Sequence, residues 1–177
     1  MKLGSNRVSN PCLKCPTDQS CCRELHGLKI NEAEYTQLFA GKSEHLTVTR
    51  KGKLYELSSL GNGPCPNWNQ QCQVYGNRPM DCDLYPYTMG NVFEGDGEVY
   101  ATYHSRTECP LTAELLGRLE NAEAMIRKFL TDTYGEHCKV TVRYDEGAAR
   151  LYHLARRAAA KAKRLLAGEK AYERFLD

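Results

Sequence analysis

Eight of the nine cysteines in this 177-residue chain fall into two groups of four. The first group has the spacing C-x2-C-x5-CC, and the second has six, nine and twenty-six residues between successive thiols. Four ligands complete a tetrahedral zinc site, and four thiolates complete a cubane iron–sulfur cluster. The grouping therefore predicts one or two metal centres with the ligands Cys12, Cys15, Cys21, Cys22, Cys65, Cys72, Cys82 and Cys109.

Composition and location favour metal ligation over disulfides. The hydrophobic fraction is 41%, the charged fraction 26% and the net charge +2, values that allow one ordinary globular core and give no argument for nucleic-acid or membrane binding. The first residues contain no apolar stretch of roughly 7–15 residues, and no run of roughly 18 apolar residues follows. We therefore expect a cytoplasmic protein without a membrane span, and in a reducing cytosol clustered thiols bind metals or act catalytically.

The spacing alone leaves the metal open. Structural zinc usually shows two short Cys-x2-4-Cys knuckles, and only Cys12 and Cys15 form one here. Proline directly follows Cys15, Cys65 and Cys109, as it follows the last cysteine of bacterial ferredoxin motifs. Iron–sulfur is therefore the preferred cofactor and zinc the alternative, with disulfides or thiol redox chemistry as a third possibility.

The chain divides by composition into three parts: a flexible lead-in over residues 1–11, a cysteine-cluster domain over 12–112 and a helical region over 113–177 packed on it. The expected fold class is α+β, a small, irregular, loop-rich domain organised by metal, with short strands or a hairpin and two C-terminal amphipathic helices. The sequence pattern predicts helices over 30–41, 111–135 and 148–177, a hairpin over 46–57, strands over 98–105 and within 136–147, and a loop-rich segment over 61–90.

The two cysteine groups together resemble the YkgJ-type cysteine-cluster family, whose domain is described as zinc- or iron-chelating. Its opening CxxCxxxCC motif is similar to the first group. Its later signature is Cys-Pro, then Cys-x-hydrophobic-Tyr-x-x-Arg-Pro-x-x-Cys, then an aromatic residue and proline. The matching positions, which with Cys109 cover about residues 10–112, are Cys65-Pro66, Cys72, Val74, Tyr75, Arg78, Pro79, Cys82 and Tyr85-Pro86.

The resemblance implies a bound metal centre built on the eight cysteines, and it leaves a cluster-dependent modifying enzyme open. The chain departs from the family pattern at two points. Five residues separate Cys15 from Cys21 where the family has about three, and Asp83 follows Cys82 where the family often has arginine.

Several other side chains near the second group are candidates for the cofactor's surroundings. The guanidinium of Arg78, with Tyr75 nearby, is expected either to donate hydrogen bonds to thiolates or an anionic ligand, or to tie the loop to backbone carbonyls. Trp68, Tyr85 and Tyr87 are expected to shield the metal from water. Cys138 stands alone and is predicted not to be a ligand.

The function predicted from these residues is a metal-binding protein with an electron-transfer or cluster-dependent role and a redox or protein partner. A zinc-binding structural module is the alternative. It would present the C-terminal helix, which carries eight basic and three acidic residues from residue 148 onward, to a protein or nucleic-acid partner. A solvated basic face is the favoured interpretation of that helix, so nucleic acid is possible without being favoured.

Overall fold

The computed structural model describes residues 25–105 and 122–147, together with Ala158. Five of the eight predicted ligands therefore lie outside the described residues: Cys12, Cys15, Cys21, Cys22 and Cys109. The first part of the predicted helix over 111–135 also lies outside them. The same holds for the predicted helix over 148–177, of which only Ala158 is described, as a helical and exposed residue.

The first sheet has three antiparallel strands in the order β1-β3-β2. They are β1 (Leu28–Asn31), β2 (Leu46–Lys51) and β3 (Leu54–Ser59), with helix α1 (Glu32–Leu38) between β1 and β2. Asn31 caps α1: its side chain accepts a hydrogen bond from the backbone N–H of Glu34, whose carboxylate accepts from the backbone N–H of Asn31. This reciprocal pair satisfies two N–H groups that a helix end leaves without a partner.

A short connecting segment follows the first sheet. It contains a two-stranded ribbon, β4 (Trp68–Asn69) and β5 (Gln71–Cys72), a 3₁₀ turn (Tyr75–Asn77) and the one-turn helix α2 (Met80–Asp83). The ribbon reverses at Gln70, which lies in the left-handed region with φ 60°. All three described cysteines of the second group lie in this segment.

The second sheet has the order β6-β7-β8. Its elements are β6 (Tyr87–Gly95), β7 (Glu98–Ser105), helix α3 (Ala122–Tyr134) and β8 (Lys139–Tyr144). Strands β6 and β7 form an antiparallel hairpin across Asp96 and Gly97, which both have positive φ, as the common two-residue hairpin turn requires. Strand β8 runs parallel to β7, so the chain has to cross over between them, and α3 lies on that crossover.

Each sheet contributes to its own cluster of buried side chains. The first core consists of Leu25, Leu28, Ile30, Phe39, Leu46 and Leu57. The second core is larger, with α3 and strands β7 and β8 at its centre; its members are Leu54, Leu84, Met89, Val99, Ala101, Ala122, Ile126, Phe129, Leu130, Tyr134, Val140 and Val142. Strand β3 joins the two, because Leu57 lies in the first core and Leu54 in the second.

The α+β class predicted from the sequence is confirmed, as are the hairpin and the strand over 98–105. Two details differ. Helix α1 ends at Leu38 and a 3₁₀ turn (Ala40–His45) follows, so Gly41 does not end it. Strand β6 begins inside the segment that was expected to be loop-rich. The two cores already order much of the described chain, so organisation by metal stays a prediction. No helix in residues 25–105 or 122–147 is long and apolar enough to cross a membrane.

Candidate metal centre

Three predicted ligands, Cys65, Cys72 and Cys82, belong to the described residues, and all three are half-buried free thiols. Cys65 and Cys82 both pack against the first core, although seventeen positions separate them in the sequence. The thiols are close enough that the ionised form of one raises the pKa of another. Cys65, Cys72 and Cys82 therefore lie near one another, and their role as ligands stays a prediction.

Cys65 begins a tight turn. Its carbonyl accepts the N–H of Trp68 at 2.8 Å, and the N–H of Asn67 donates to its sulfur. Burial raises the pKa of the Cys65 thiol, and the Cys72 thiol adds to this, while the Asn67 N–H and the Lys42 ammonium oppose it. A backbone N–H that donates to the sulfur stabilises a thiolate, although burial outweighs it in the metal-free chain.

Asn67 ties this turn to the end of α1 and to the 3₁₀ turn that follows it. Its side chain is buried, with 2% exposed. Its Nδ2 donates to the carbonyl of Leu38 at 3.1 Å, and its Oδ1 accepts from Nζ of Lys42. Its own carbonyl accepts the N–H of Gln73 at 2.9 Å, so the two ends of the ribbon that carries Cys72 are tied to each other.

Cys82 lies on α2, which is fixed from both sides. Oε1 of Glu34 accepts the N–H of Met80 at 2.7 Å, so the residue that completes the cap of α1 also holds the first residue of α2. Asp81 is 6% exposed. Its Oδ2 accepts the N–H of Lys29 at 3.0 Å on β1, and its Oδ1 accepts the N–H of Met89 at 2.9 Å on β6. The turn that carries Cys82 thereby joins the two sheets.

The surroundings of Cys82 work against ionisation in the metal-free chain. Burial raises the pKa of its thiol well above the usual value, and the neighbouring Asp81 carboxylate and the Cys65 thiol raise it further. The charge of Arg78 acts in the opposite direction. A metal ion would supply the missing positive charge, because a coordinating thiol loses its proton to the metal.

Arg78 occupies a defined position beside this thiol. Its Nη2 forms an ion pair with Oδ1 of Asp83 at 2.5 Å, and its Cζ lies 4.0 Å from the centre of the Tyr75 ring. Although burial works against the charged form, Asp83, Tyr75 and Cys82 hold the pKa of Arg78 above its usual value. The recorded partner of the guanidinium is thus a carboxylate, which was not among the partners expected from the sequence.

The remaining candidates lie around this segment or away from it. Trp68 and Tyr85 are half-buried, and Tyr87 begins β6 and packs edge-on against the rings of Tyr103 and Tyr144. Cys138 precedes β8 and packs against the second core, in agreement with a thiol outside the metal centre. Within residues 25–105 and 122–147, no three side chains among histidine, cysteine, aspartate and glutamate are grouped so that they could hold a metal ion.

Sequence reasoning missed the residues that fix the thiols in place. Asp81, Asn67 and Lys42 carry no local signal, because their partners are distant along the chain. The capping bond of Glu34 is local to α1, but its second bond, to Met80 forty-six residues away, has no counterpart in the sequence pattern.

A cleft lies between strands β3 and β6. Lys29, Glu56, Asn91 and Phe93 are among its lining residues, and none of the described thiols lines it, nor do Arg78 and Tyr75. Glu56 pairs there with Lys51 at 2.8 Å and lies 3.9 Å from Lys29. This cleft therefore gives no access to the three cysteines of the second group that the structure describes.

Comparison with known proteins identifies a family whose matched range includes the eight clustered cysteines. Residues 11–110 match the family model CxxCxxCC, described as "Putative zinc- or iron-chelating domain". No curated protein and no solved structure matches the chain. The matched range covers more than half of the sequence and contains all eight clustered cysteines, so the chain belongs to the CxxCxxCC family of zinc- or iron-chelating domains.

Proposed function

We propose that this chain is an iron–sulfur protein whose eight clustered cysteines ligate one or two clusters for electron transfer or another cluster-dependent reaction. The observation that carries the proposal is that Cys65 and Cys82 pack against the same core and that the charges of Cys65, Cys72 and Cys82 influence one another. Thiolates are the donors that soft metals prefer, and these three thiols would need the remaining cysteines of the family signature to complete a site. The family description supports metal binding and leaves the kind of metal open.

Chain connectivity supports a shared site for the other five cysteines. Leu25 belongs to the first core, as its contacts with the same cluster as Cys65 and Cys82 show. Leu25 follows Cys22 by three positions, and such a segment spans at most about 11 Å. Cys109 follows Ser105 by four residues, or at most about 14 Å. Ser105 pairs with Tyr87, close in sequence to Cys82, so both ends of the described range are within reach of the thiols.

The chain's own residues contribute position, shielding and proton release. Asn67, Glu34 and Asp81 fix the two turns that carry Cys65 and Cys82, and the first core keeps water from one side of these thiols. Thiols with raised pKa values must lose their protons when they become ligands, so metal uptake is expected to release protons. A bound cluster supplies one-electron redox chemistry, which no thiol of the chain supplies alone.

Iron–sulfur is preferred over zinc for two reasons. The spacing of the second group is irregular, and three of the cysteines precede proline. The N–H donated to the Cys65 sulfur is of the kind that tunes cluster potentials. We propose a cytoplasmic location, where thiols stay reduced, and a redox or other protein partner.

Anaerobic purification tests the assignment directly. The full chain would be purified without oxygen, and iron, inorganic sulfide and zinc would be measured together with the visible spectrum. We expect a brown protein that contains iron and sulfide. A colourless protein with stoichiometric zinc and no iron, after the same preparation, would contradict the iron–sulfur assignment and favour the zinc module. A protein that binds neither metal would contradict both.

The zinc module is the second candidate because the family description names zinc equally. In that case the cysteines order the loops, and the basic C-terminal helix is offered to a protein or nucleic-acid partner. The modifying enzyme is supported less well. It needs a substrate cavity that reaches the metal, and the cleft between β3 and β6 is lined by none of the described thiols.

A further inference from the structure

Strand β6 forms one edge of the second sheet, because the strand order is β6-β7-β8. The turn between β6 and β7 has two residues, and such a turn is closed by a hydrogen-bonded pair, here Gly95 and Glu98. In an antiparallel ladder, bonded and non-bonded pairs alternate from the closing pair onward. The backbone N–H and C=O groups of Glu94 and Val92 therefore point away from β7, toward the free side of β6.

The first half of this edge is capped by the chain itself. The N–H of Met89 donates to Oδ1 of Asp81 at 2.9 Å, and the carbonyl of Met89 accepts from Nζ of Lys29 at 3.0 Å. Within residues 25–105 and 122–147, no strand or side chain is seen to bond the outward groups of Val92 and Glu94. The second half of the edge is therefore open to another chain.

The open half of β6 also lacks the basic side chains that protect other sheet edges. Lysine and arginine along an edge strand oppose pairing with another chain, and edge strands β2 and β8 carry the exposed Arg50 and Arg143. The open half of β6 carries Phe93 instead, which is 60% exposed. Its one charged group, the carboxylate of Glu94, is engaged in a hydrogen bond with Tyr134. An open edge with an exposed aromatic ring is a site where another strand can pair.

The cleft between β3 and β6 lies along this open half. It is open to solvent, has an empty volume of about 600 Å³, and is lined by Phe93 on one side and by Lys29, Lys51 and Glu56 on the other. Two ammonium groups face one carboxylate here, since Lys51 pairs with Glu56 at 2.8 Å and Lys29 lies 3.9 Å from it. The charged groups of the lining thus leave one positive charge uncompensated. The Lys51 side chain is 62% exposed and meets an acidic group that enters the cleft.

The two ends of the cleft limit what fits inside. At one end, the bond from Lys29 to the Met89 carbonyl joins the two sides. At the other end, the β2–β3 turn packs on β6, since a Cβ added at Gly52 would lie 2.6 Å from the Glu94 carboxylate. The stretch between them, from Asn91 to Glu94, is about 13 Å long. A single extended segment matches this gap, because it brings no neighbouring strand of its own.

We propose that the open edge of β6 is a docking site for an extended segment of a partner protein that carries an acidic side chain. The segment pairs with the backbone of Val92 and Glu94, and main-chain hydrogen bonds of this kind supply affinity. An apolar side chain of the segment contacts Phe93, and its acidic side chain faces Lys51, which makes the site selective. The inference goes beyond the proposed function and does not depend on a bound metal.

A random heptapeptide library displayed on phage is the probe, and the full wild-type chain is the target. The most enriched sequence is synthesised as an acetylated amide, and its binding is measured by ¹H–¹⁵N NMR titration. We expect enriched peptides to carry β-branched or aromatic residues at alternate positions and an aspartate or glutamate between them. The largest amide shifts should fall on Val92, Phe93 and Glu94.

Proline substitution tests the strand pairing. Val92→Pro removes an outward N–H without touching the ladder to β7, so the peptide should bind about tenfold more weakly. Val48→Pro is the matched control on edge strand β2. Its N–H also points outward, because Val48 lies three positions before Lys51, which closes the β2–β3 hairpin with Leu54, and binding should be unchanged.

Two side-chain variants test selectivity and do not depend on a proline being tolerated. Phe93→Ser alters an exposed ring and should weaken binding about threefold to fivefold. Lys51→Gln should weaken binding of the acidic peptide about threefold, while the same peptide with glutamine at the acidic position should bind both proteins equally. Thermal unfolding of every variant shows whether the fold is retained.

The outcomes separate this inference from the proposed function. If no peptide is enriched, if the shifts fall elsewhere, or if folded Val92→Pro and Val48→Pro bind equally well, the inference is wrong. A dimer of the wild type that Phe93→Ser dissociates would assign the edge to a second copy and overturn the partner proposed here. Metal content is measured in the same preparations. Peptide binding by a chain that takes up no metal would contradict the proposed function and leave the docking site supported.

Discussion

The backbone N–H of Lys29 donates to Oδ2 of Asp81 at 3.0 Å, although fifty-two positions separate the two residues. The other oxygen of the carboxylate accepts from Met89 at 2.9 Å on the second sheet. The side chain of Lys29 also contacts the second sheet, because its Nζ donates to the carbonyl of Met89 at 3.0 Å. One buried carboxylate next to Cys82 thus joins β1, α2 and β6.

Replacing Asp81 by asparagine should therefore destabilise the fold. The substitution turns one acceptor oxygen into an NH₂ donor that faces a backbone N–H, and both N–H groups are away from water. Hydrogen bonds to charged groups contribute about 1.5–3 kcal/mol each, so we expect a loss of about 2–3 kcal/mol in the free energy of unfolding by urea. Asp132→Asn, at an exposed pair with Lys128, should lose no more than about 0.5 kcal/mol. Equal losses at both sites would contradict this interpretation of Asp81.

Glu34 should make stability depend on pH. Burial raises the pKa of its carboxyl, although the N–H groups of Met80 and Asn31 oppose the shift. Above the usual value of 4.5 the folded state binds the proton that the unfolded state has lost, so stability decreases as the pH rises through the raised pKa. Glu34→Gln removes this titration. It also replaces one of the two carboxylate oxygens that accept the N–H groups of Asn31 and Met80. The stability advantage of the wild type over the variant should then be largest in acid and shrink toward neutral pH, as urea unfolding at several pH values would show. A constant difference would mean that the pKa of Glu34 is not raised.

Local signals explain which parts of the fold could be predicted. The β2–β3 hairpin follows from alternating apolar residues, and α1 follows from Asn31 and Glu34. Strand β6 was missed because its first residues lie in a stretch rich in glycine, proline and asparagine. The Asp96-Gly97 pair, a strong hairpin signal, would have indicated a strand on both sides.

In the candidate site, too, local sequence signals predict some features and miss others. Cysteine spacing predicted that Cys65, Cys72 and Cys82 serve one purpose, because thiols of one site tend to recur in a motif. It could not predict the partners of Asp81 or Asn67, which depend on how the sheets and turns meet in space. Nor could it predict the partner of Arg78, because Asp83 is brought back to it by the turn at Pro79.

Cysteine substitutions should separate ligands from bystanders. Cys82→Ser removes a thiolate from the proposed centre, so we expect the metal content of the purified full chain to fall by half or more. Cys138→Ala removes a thiol that packs against the second core beside β8, and metal content should be unchanged. Metal analysis of both variants, prepared alongside the wild type, is the measurement. Loss of metal from Cys138→Ala would overturn the assignment of Cys138.

Metal retention should weaken in acid. Burial raises the pKa of the thiols of Cys65 and Cys82 in the metal-free chain, so both hold their protons near neutral pH. A proton must leave each of them on binding, and the apparent affinity for Zn²⁺ should increase at least about tenfold per pH unit between pH 6 and 8. Competition with a chelator of known proton affinity measures this. An affinity independent of pH would show that these thiols are not ligands.

Asn67→Ala should loosen the turn that carries Cys65 without touching a thiol. It leaves the carbonyl of Leu38 and Nζ of Lys42 without their recorded partner, in a position where Asn67 itself is 2% exposed. A buried polar group without a partner costs about 1–3 kcal/mol, so we expect a loss in that range in the free energy of unfolding. The bound metal should also be removed faster by a chelator, because the N–H that donates to the Cys65 sulfur belongs to the same residue.

Asn69→Ala, two positions along on the exposed ribbon, is the matched control and should leave both the free energy of unfolding and the rate of metal release unchanged. If Asn67→Ala lost stability but released metal at the wild-type rate, the turn would support the fold alone, and Cys65 would not depend on it as a ligand.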